Sequence, residues 1–320
     1  REGCLMPVEA GIDLRVRAME RLADGILSLT LEHPDGGDLP PWSAGAHVDL
    51  VFEGIGTAQY SLCGPLGARR WQVAVLHRPE GRGVSRHVHR ALRPGDRVRV
   101  GLPRNHFPLQ PAPGYLFVAG GIGITPIRAM IEAADSIGTP WQLAYCGRSR
   151  AGMAFMDELE DRAGRVRVFP ADEACRLPVG KLLAETAAAA EVYCCGPEGL
   201  IAAVQAESER LGRPAPHFER FSAAPAALQG ENRRFSVVLA RSGVTLEIGP
   251  GQSIADVLDA RGVFVPTSCR QGVCGSCETR VCAGRIDHRD SILSEAEKER
   301  GDTMMVCVSR ARDDRLTLDL

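Results

Sequence analysis

Thr267-Ser268-Cys269-Arg270-Gln271-Gly272-Val273-Cys274-Gly275-Ser276-Cys277 is the stretch on which the reading of this chain turns. Its cysteines are spaced C-x4-C-x2-C, and a further one, Cys307, stands well downstream. That is the ligand spacing of a plant-type [2Fe–2S] cluster. Three thiolates come from one loop wrapped over two irons, and the fourth arrives from a separate strand. Gly272 and Gly275 allow positive φ, so backbone amides can turn toward the cluster sulfurs. Such hydrogen bonds help set a potential of about −400 mV for this class. Zinc and plain buried thiols are the competing readings. Zinc usually takes two short-spaced pairs, and the chain has only one C-x2-C. Cys282, on a predicted strand over 278–282, follows Cys277 too soon to return to the second iron and is read as a packing residue.

The surroundings of this loop form a small mixed segment. Residues 235–240 and 245–248 read as a hairpin about Ser242-Gly243. Ser253 caps a helix over 254–260, and Ser294 with Glu297 spells a capping box. Strands are predicted over 304–308 and 316–318. Upstream, 222–231 reads as a small-residue linker.

The middle third alternates strands and helices, which implies a parallel, doubly wound α/β sheet. Strands are predicted over 116–119, 141–146, 165–169 and 192–195. Helices are expected over 127–137, capped by Thr125 with Pro126 at its first position, over 153–162, and over 198–211. The first third carries six short strand-like runs, 14–19, 26–32, 47–52, 59–63, 71–76 and 97–102, with Gly, Pro and Asp turns between them. This pattern suggests a small antiparallel barrel with one helix over 85–92.

Of 320 residues, 44% are hydrophobic, enough for two or three packed domains. A net charge of −2 offers no basic field for nucleic acid, and no apolar run is long enough for a membrane span. Residues 1–10 lack the apolar stretch of a secretory leader, and Met6 is a candidate start. Five of the eleven cysteines gather in the last third. Cys63, Cys146, Cys175 and Cys194 read as reduced, buried residues, so a cytoplasmic setting is expected.

Two further segments point to cofactors. Gly120-Gly121-Ile122-Gly123-Ile124-Thr125-Pro126 follows a predicted strand and opens a helix. There, glycines admit a pyrophosphate and the helix end favours its charge; a tight structural turn is the alternative. Cys195-Gly196-Pro197 ends another strand at the edge where open α/β sheets bind ligands. Cys146-Gly147-Arg148-Ser149 is placed to hold an adenosine ribose or phosphate, with solvated loop charges as the alternative for Arg148 and Arg150. In the first third, Gly81-Arg82-Gly83-Val84-Ser85 makes a candidate anion site, with a simple capped helix as the alternative.

The loop "PTSCRQGVCGSC" resembles the ferredoxin domain of the phthalate dioxygenase reductase family, which includes vanillate demethylase reductases. The likeness covers nearly the whole chain. It implies an FMN-binding antiparallel β-barrel over 8–108 and an NAD-binding α/β domain over 109–222. A linker over 223–233 and a β-grasp plant-type ferredoxin domain over 234–320 would follow. Gln59-Tyr60-Ser61-Leu62 resembles the flavin motif R-x-Y-S, with Ala58 where the family has its phosphate-binding arginine; Arg82 or Arg86 could replace that cation. Val75, Leu76 and His77 would read the flavin pyrimidine, and Gly83, Val84 and Ser85 its phosphate. Thr125 would lie near flavin and nicotinamide, Cys195 beside the nicotinamide ring with Cys194 turned the other way. Phe221 resembles the aromatic that covers the flavin, though an ordinary strand-end aromatic fits equally.

The implied activity is NADH-dependent reduction of FMN, then of the [2Fe–2S] cluster, then of a partner oxygenase of the Rieske non-haem iron type. A reductase for another acceptor, such as a di-iron hydroxylase or haem protein, and a redox-sensing cluster protein are the rival readings. His87 and His89 suit neither a helical metal pair nor a Rieske ligand set. With no C-x-H followed by a later C-x2-H, the chain is not expected to be a Rieske oxygenase itself. His47, His77 and His106 read as ordinary strand or turn histidines, and 287–290 and 295–300 as solvated charged faces.

Overall fold

In the computed structural model the described residues are 11–81, 83–162, 164–173, 176–222 and 231–320. They form two compact units, Arg1–Glu219 and Arg220–Leu320. Arg82, Cys175 and residues 223–230 of the expected linker lie outside the described residues. No helix among the described residues is long and apolar enough to cross a membrane.

The first unit begins with β1 (Gly11–Ala23), β2 (Ile26–Glu32), β3 (His47–Phe52), β4 (Gly56–Ser61), β5 (Arg70–Leu76), helix α1 (Val84–Arg90) and β6 (Arg97–Gly101). The strands make one antiparallel sheet in the order β4-β3-β6-β1-β2-β5. Leu62, just past β4, bridges Val73 of β5 and so closes the barrel. Closure removes the edges that would otherwise invite strand pairing. Inside lie Leu14, Leu29, Val48, Leu50, Trp71 and Val100, with Val84 and Val88 of α1 packed among them. β1 extends beyond the expected 14–19. The turn at Asp24-Gly25, with Gly25 at φ 71, is tight enough to carry the β1–β2 ladder out to Ala23 and Ile26.

Next come β7 (Tyr115–Gly120), α2 (Ile124–Ser136), β8 (Trp141–Gly147), α3 (Met156–Glu160), β9 (Val166–Pro170), α4 (Val179–Glu185), β10 (Glu191–Cys195), α5 (Glu198–Arg210) and β11 (His217–Glu219). The sheet order is β11-β10-β7-β8-β9, with every pair parallel. β7 is buried along its whole length, as a strand covered on both faces must be. Three local expectations change. Thr125 does not cap α2, because a 3-10 turn over Gly121–Gly123 starts the helix earlier. α3 is shorter than expected, since Phe155 at φ 62 blocks its extension toward Met153. α4 and β11 carry too little periodicity to be seen in sequence. The barrel and this sheet are joined within the unit. The Leu66 amide bonds Glu132 at 3.0 Å, the Asp24 amide bonds Ala151 O at 2.8 Å, and Arg128 reaches the Cys63 carbonyl.

The second unit contains β12 (Phe235–Leu239), β13 (Thr245–Ile248), α6 (Ile254–Ala260), β14 (Glu278–Ala283), β15 (Ile286–Asp287), α7 (Glu295–Arg300), β16 (Thr303–Met305), β17 (Arg310–Ala311) and β18 (Arg315–Leu318). Its main sheet runs β13-β12-β18-β14-β16, with β12 and β18 parallel and the other pairs antiparallel. A hairpin, a helix packed against the sheet and a parallel central pair make a β-grasp. The expected Ser253 cap forms and, with Asp256, closes a capping box; the expected capping box of Ser294 with Glu297 forms as well. β16 ends at Met305 rather than running to 308, because Val308 and Ser309 both turn their amides back to Met305 O, at 3.1 and 2.9 Å. That turn presents Cys307.

Candidate redox-cofactor sites

Cys269, Cys274, Cys277 and Cys307 are all buried and free of disulfides. The loop between α6 and β14 brings three of them, and the turn after β16 brings the fourth. The Cys269 sulfur interacts with those of Cys274 and Cys307, and Cys277 interacts with Cys307. Among the described residues no three His, Cys, Asp or Glu side chains converge as they would on one metal ion. A chain of four thiols, 274–269–307–277, instead suits a two-iron group with one cysteine pair at each end. The Gln271 amide donates to Cys269 Sγ at 3.3 Å. Contacts from Cys274, Cys307 and the Val273 and Gln271 amides push the Cys269 thiol far below its ordinary value; contacts with Cys269 and Cys277, with burial, push Cys307 far above it. Gly272 and Gly275 adopt φ 67 and 72, as the spacing predicted. Arg270 also has positive φ, at 51, and is anchored by ion pairs to Asp256 and Asp259 of α6. Cys282 is exposed on β14, so its reading as a packing residue is wrong: strand alternation turns it outward beside buried Val281.

On β4, Ala58 and Tyr60 pack against the barrel core, while alternation turns Gln59 and Ser61 to the other face. Gln59 Nε2 and Ser61 Oγ are buried without a protein partner. Two unsatisfied polar atoms on one strand fit a bound polar group, since leaving them unpaired is costly. Leu62 is core rather than site lining. Val75 O accepts from His89 Nε2 at 2.9 Å and the His77 amide donates to Gly25 O at 2.8 Å, so both backbone groups are already engaged. The His77 and His89 rings lie 5.0 Å apart. Gly83 has φ 115 ahead of α1, and Val84 is buried in the barrel. The Ser85 hydroxyl accepts the Arg78 amide at 3.1 Å, which ties down the expected anion loop.

At the carboxyl ends of β7 and β10, the glycines serve chiefly close packing. A Cβ on Gly123 would fall 2.2 Å from Cys195 O; one on Gly120 would meet Pro197 Cδ at 2.6 Å; one on Gly196 would meet Gly120 Cα at 2.9 Å. Gly121 differs: at φ 54 it faces open space and leaves room for a ligand. The Thr125 hydroxyl donates to Ile122 O at 2.9 Å. Arg148 is exposed and Ser149 half-buried after β8, while Arg150 is paired with Glu160 and Glu173. Cys194 belongs to the sheet core, whereas Cys195 alternates away from it. Phe221 is half-buried in the bend that follows β11.

Glu219 was missed in the sequence, hidden inside "HFERF". Half-buried at the end of β11, its carboxyl is pushed up to about 8 by desolvation. Burial also pushes the Cys195 thiol well up, with Glu219 adding to the effect. His47 Nδ1 lies 3.9 Å from Glu219 Oε1, and its ring stacks 5.6 Å from that of His106. His47 is therefore part of a buried polar cluster, not an ordinary strand histidine. An acid raised from 4.5 to about 8 keeps a proton in the folded state that the unfolded chain releases. Its stabilising contribution is full below about pH 4.5 and is lost as pH rises toward 8. Glu219→Gln should flatten that loss, which has a slope on the order of 1 kcal/mol per pH unit. Urea midpoints of both proteins at pH 5 and pH 8 check this; parallel declines would refute it.

A closed barrel with unsatisfied polar groups, a parallel sheet with a glycine loop at its carboxyl edge, and a β-grasp unit with four gathered thiols define a modular flavin and iron–sulfur oxidoreductase. Residues 237–312 match the family described as the 2Fe-2S iron-sulfur cluster binding domain. The chain is 43% identical to the phenoxybenzoate dioxygenase subunit beta of Ectopseudomonas oleovorans, covering 97% of this chain and 98% of that one. A solved structure described as phthalate dioxygenase reductase, a modular structure for electron transfer from pyridine nucleotides to [2Fe–2S], superposes with TM-score 0.74 at 37% identity, covering 97% of this chain and 98% of that one. An intact type IV self-sufficient cytochrome P450 monooxygenase superposes with TM-score 0.86 at 40% identity. That match covers all of this chain but only 43% of the P450 chain. The chain belongs to the phthalate dioxygenase reductase family of oxygenase-system reductases.

Proposed function

We propose that this chain is the NADH-dependent reductase component of an oxygenase system and serves a Rieske non-haem iron oxygenase acting on an aromatic or small organic substrate. Electrons pass from NADH through FMN and a [2Fe–2S] cluster to the partner. The observation that carries this reading is the chain of four buried thiols in a polypeptide that also holds a flavin-type barrel and a dinucleotide-type sheet. When bound, the three cofactors supply the conversion of a two-electron hydride donor into single electrons. The protein binds and tunes them.

Residues 8–108 form the flavin domain, 109–222 the nicotinamide domain and 234–320 the ferredoxin domain. Cys269, Cys274, Cys277 and Cys307 ligate the cluster. Gln59 and Ser61 offer buried polar atoms to the flavin, beside Tyr60. Gly121 admits the dinucleotide, and Cys195 and Thr125 line its nicotinamide end. With alanine at 58, the flavin phosphate relies on the loop from Gly81 to Ser85 and on Arg86. No acid–base residue is required for hydride transfer. The nine described cysteines are all free, which supports a reducing, cytoplasmic setting.

The P450 likeness favours one second reading, a haem acceptor in place of the Rieske centre. Anaerobic addition of NADH to the purified protein tests the main claim. Flavin and cluster absorption should both bleach. No bleaching with NADH or NADPH would sink it. Reduction of a Rieske oxygenase but not of a haem acceptor by the NADH-treated protein would support the Rieske partner, and the reverse would favour the haem reading.

A further inference from the structure

The sequence of charges at 287–290 suggested a solvated face, yet Asp290 is 1% exposed and Arg289 5% exposed. The reason lies in what surrounds the cysteine loop. Asp290 Oδ2 accepts the amides of Leu293 and Ile292, at 2.9 and 3.3 Å. Its Oδ1 accepts the Ser309 hydroxyl at 3.4 Å, and His288 Nδ1 stands 3.5 Å from the same oxygen. Ser309 is equally buried, and its oxygen accepts the Arg289 amide at 3.1 Å. It lies two residues beyond Cys307 on the turn that presents that cysteine.

The other contact of this segment is with the three-cysteine loop. The Ser291 amide donates to Gly272 O at 2.8 Å. A Cβ on Gly272 would meet Val308 Cγ2 at 2.5 Å and Asp290 Cα at 3.0 Å. Gly272 is thus the point where the loop, the Asp290 turn and the residue after Cys307 press together. The flanking arginines face elsewhere. Arg289 bonds Asp287, Asn232 and Glu231 O, and Arg310 bonds the carbonyls of Gln252, Gly249 and Arg233. These bonds fix the ends of β15 and β17, so the Asp290–Ser309 contact is held between two rigid anchors.

We propose that Asp290, bonded to Ser309 and packed by its backbone on Gly272, is the positioning residue that sets the spacing between Cys307 and the three-cysteine loop, and through it the reduction potential of the cluster. This rests on the cluster assignment above. Partners just outside the ligands orient them and tune the metal. A buried carboxylate also opposes the negative charge added on reduction, because screening by water is weak there.

Asp290→Asn and Ser309→Ala test the proposal by EPR-monitored redox titration of the holoprotein. At the wild-type midpoint, Asp290→Asn should raise the ratio of reduced to oxidised cluster about tenfold, a shift of about +59 mV for one electron. Ser309→Ala should shift the EPR g-values and shorten the lifetime of the cluster absorption severalfold. NADH bleaching of the flavin should stay at its wild-type rate in both. Should Asp290→Asn not fold, Ser309→Ala decides alone. Wild-type midpoint, spectrum and lifetime in the folded variants would overturn the proposal. A wild-type protein without any [2Fe–2S] signal would instead refute the cluster reading itself.

Discussion

Cys307→Ser should remove the [2Fe–2S] absorption and EPR signals while NADH still bleaches the flavin. Delivery of electrons to a one-electron protein acceptor should then fall by at least about a hundredfold. The expectation follows from the contacts. Cys307 contacts both Cys269 and Cys277, and so joins the two cysteine pairs of the thiol chain. It also comes from a separate strand turn, so nothing in the loop can replace it. Cys282→Ser is the control. Its thiol is exposed on β14 and lies outside the quartet, and its loss should leave the cluster spectrum and electron delivery within about twofold of wild type, as surface changes usually do. The reverse pattern, with Cys282 essential and Cys307 dispensable, would overturn the ligand assignment.

Gly123→Ala should damage the opposite end of the electron path. Its Cβ would sit 2.2 Å from Cys195 O, 2.5 Å from Cys195 C and 2.9 Å from Gly196 N. All three are backbone atoms, so no rotamer change relieves the overlap. The loop after β7 and the end of β10 must separate, at a penalty on the order of 3 kcal/mol. That movement displaces Gly121 and Cys195 together, the two positions that face the proposed nicotinamide end. NADH bleaching of the flavin should slow at least about tenfold, in line with the loss of positioned binding. The [2Fe–2S] EPR signal should still appear on reduction with dithionite, because the cluster unit carries its own core. Normal NADH kinetics in this variant would show that the close approach at residue 123 has no part in the reaction. Gly121→Ala provides the contrast: its Cβ meets open space, so a kinetic defect there without loss of stability would point to ligand approach.

What the sequence determined on its own is local. The C-x4-C-x2-C spacing, the positive-φ glycines at 272 and 275, the Ser253 cap, the Ser294–Glu297 capping box and nearly every barrel strand are legible, because each depends on neighbours a few residues apart. The strands over 26–32 and 47–52 coincide with the sequence pattern to the residue. Less was visible where the controlling contact is distant. Thr125 looked like a helix cap, but the 3-10 turn before it starts the helix early. Residues 287–290 looked like a solvated face, yet Asp290 is buried because Ser309 and the amides after it satisfy its carboxylate. His47 and Glu219 are far apart in sequence and carry no motif; only the pairing of β10 with β11 and the folding of the barrel bring them within 3.9 Å.

The glycines show the same division most clearly. Sequence placed Gly120, Gly123 and Gly196 at a nucleotide loop, and tertiary packing explains them as the close contact of two strand ends, leaving Gly121 as the open one. The quartet of cysteines was determined by spacing alone. The residue that braces it, Asp290, was decided by packing, because a buried carboxylate is tolerated only where several donors from separate segments converge on it.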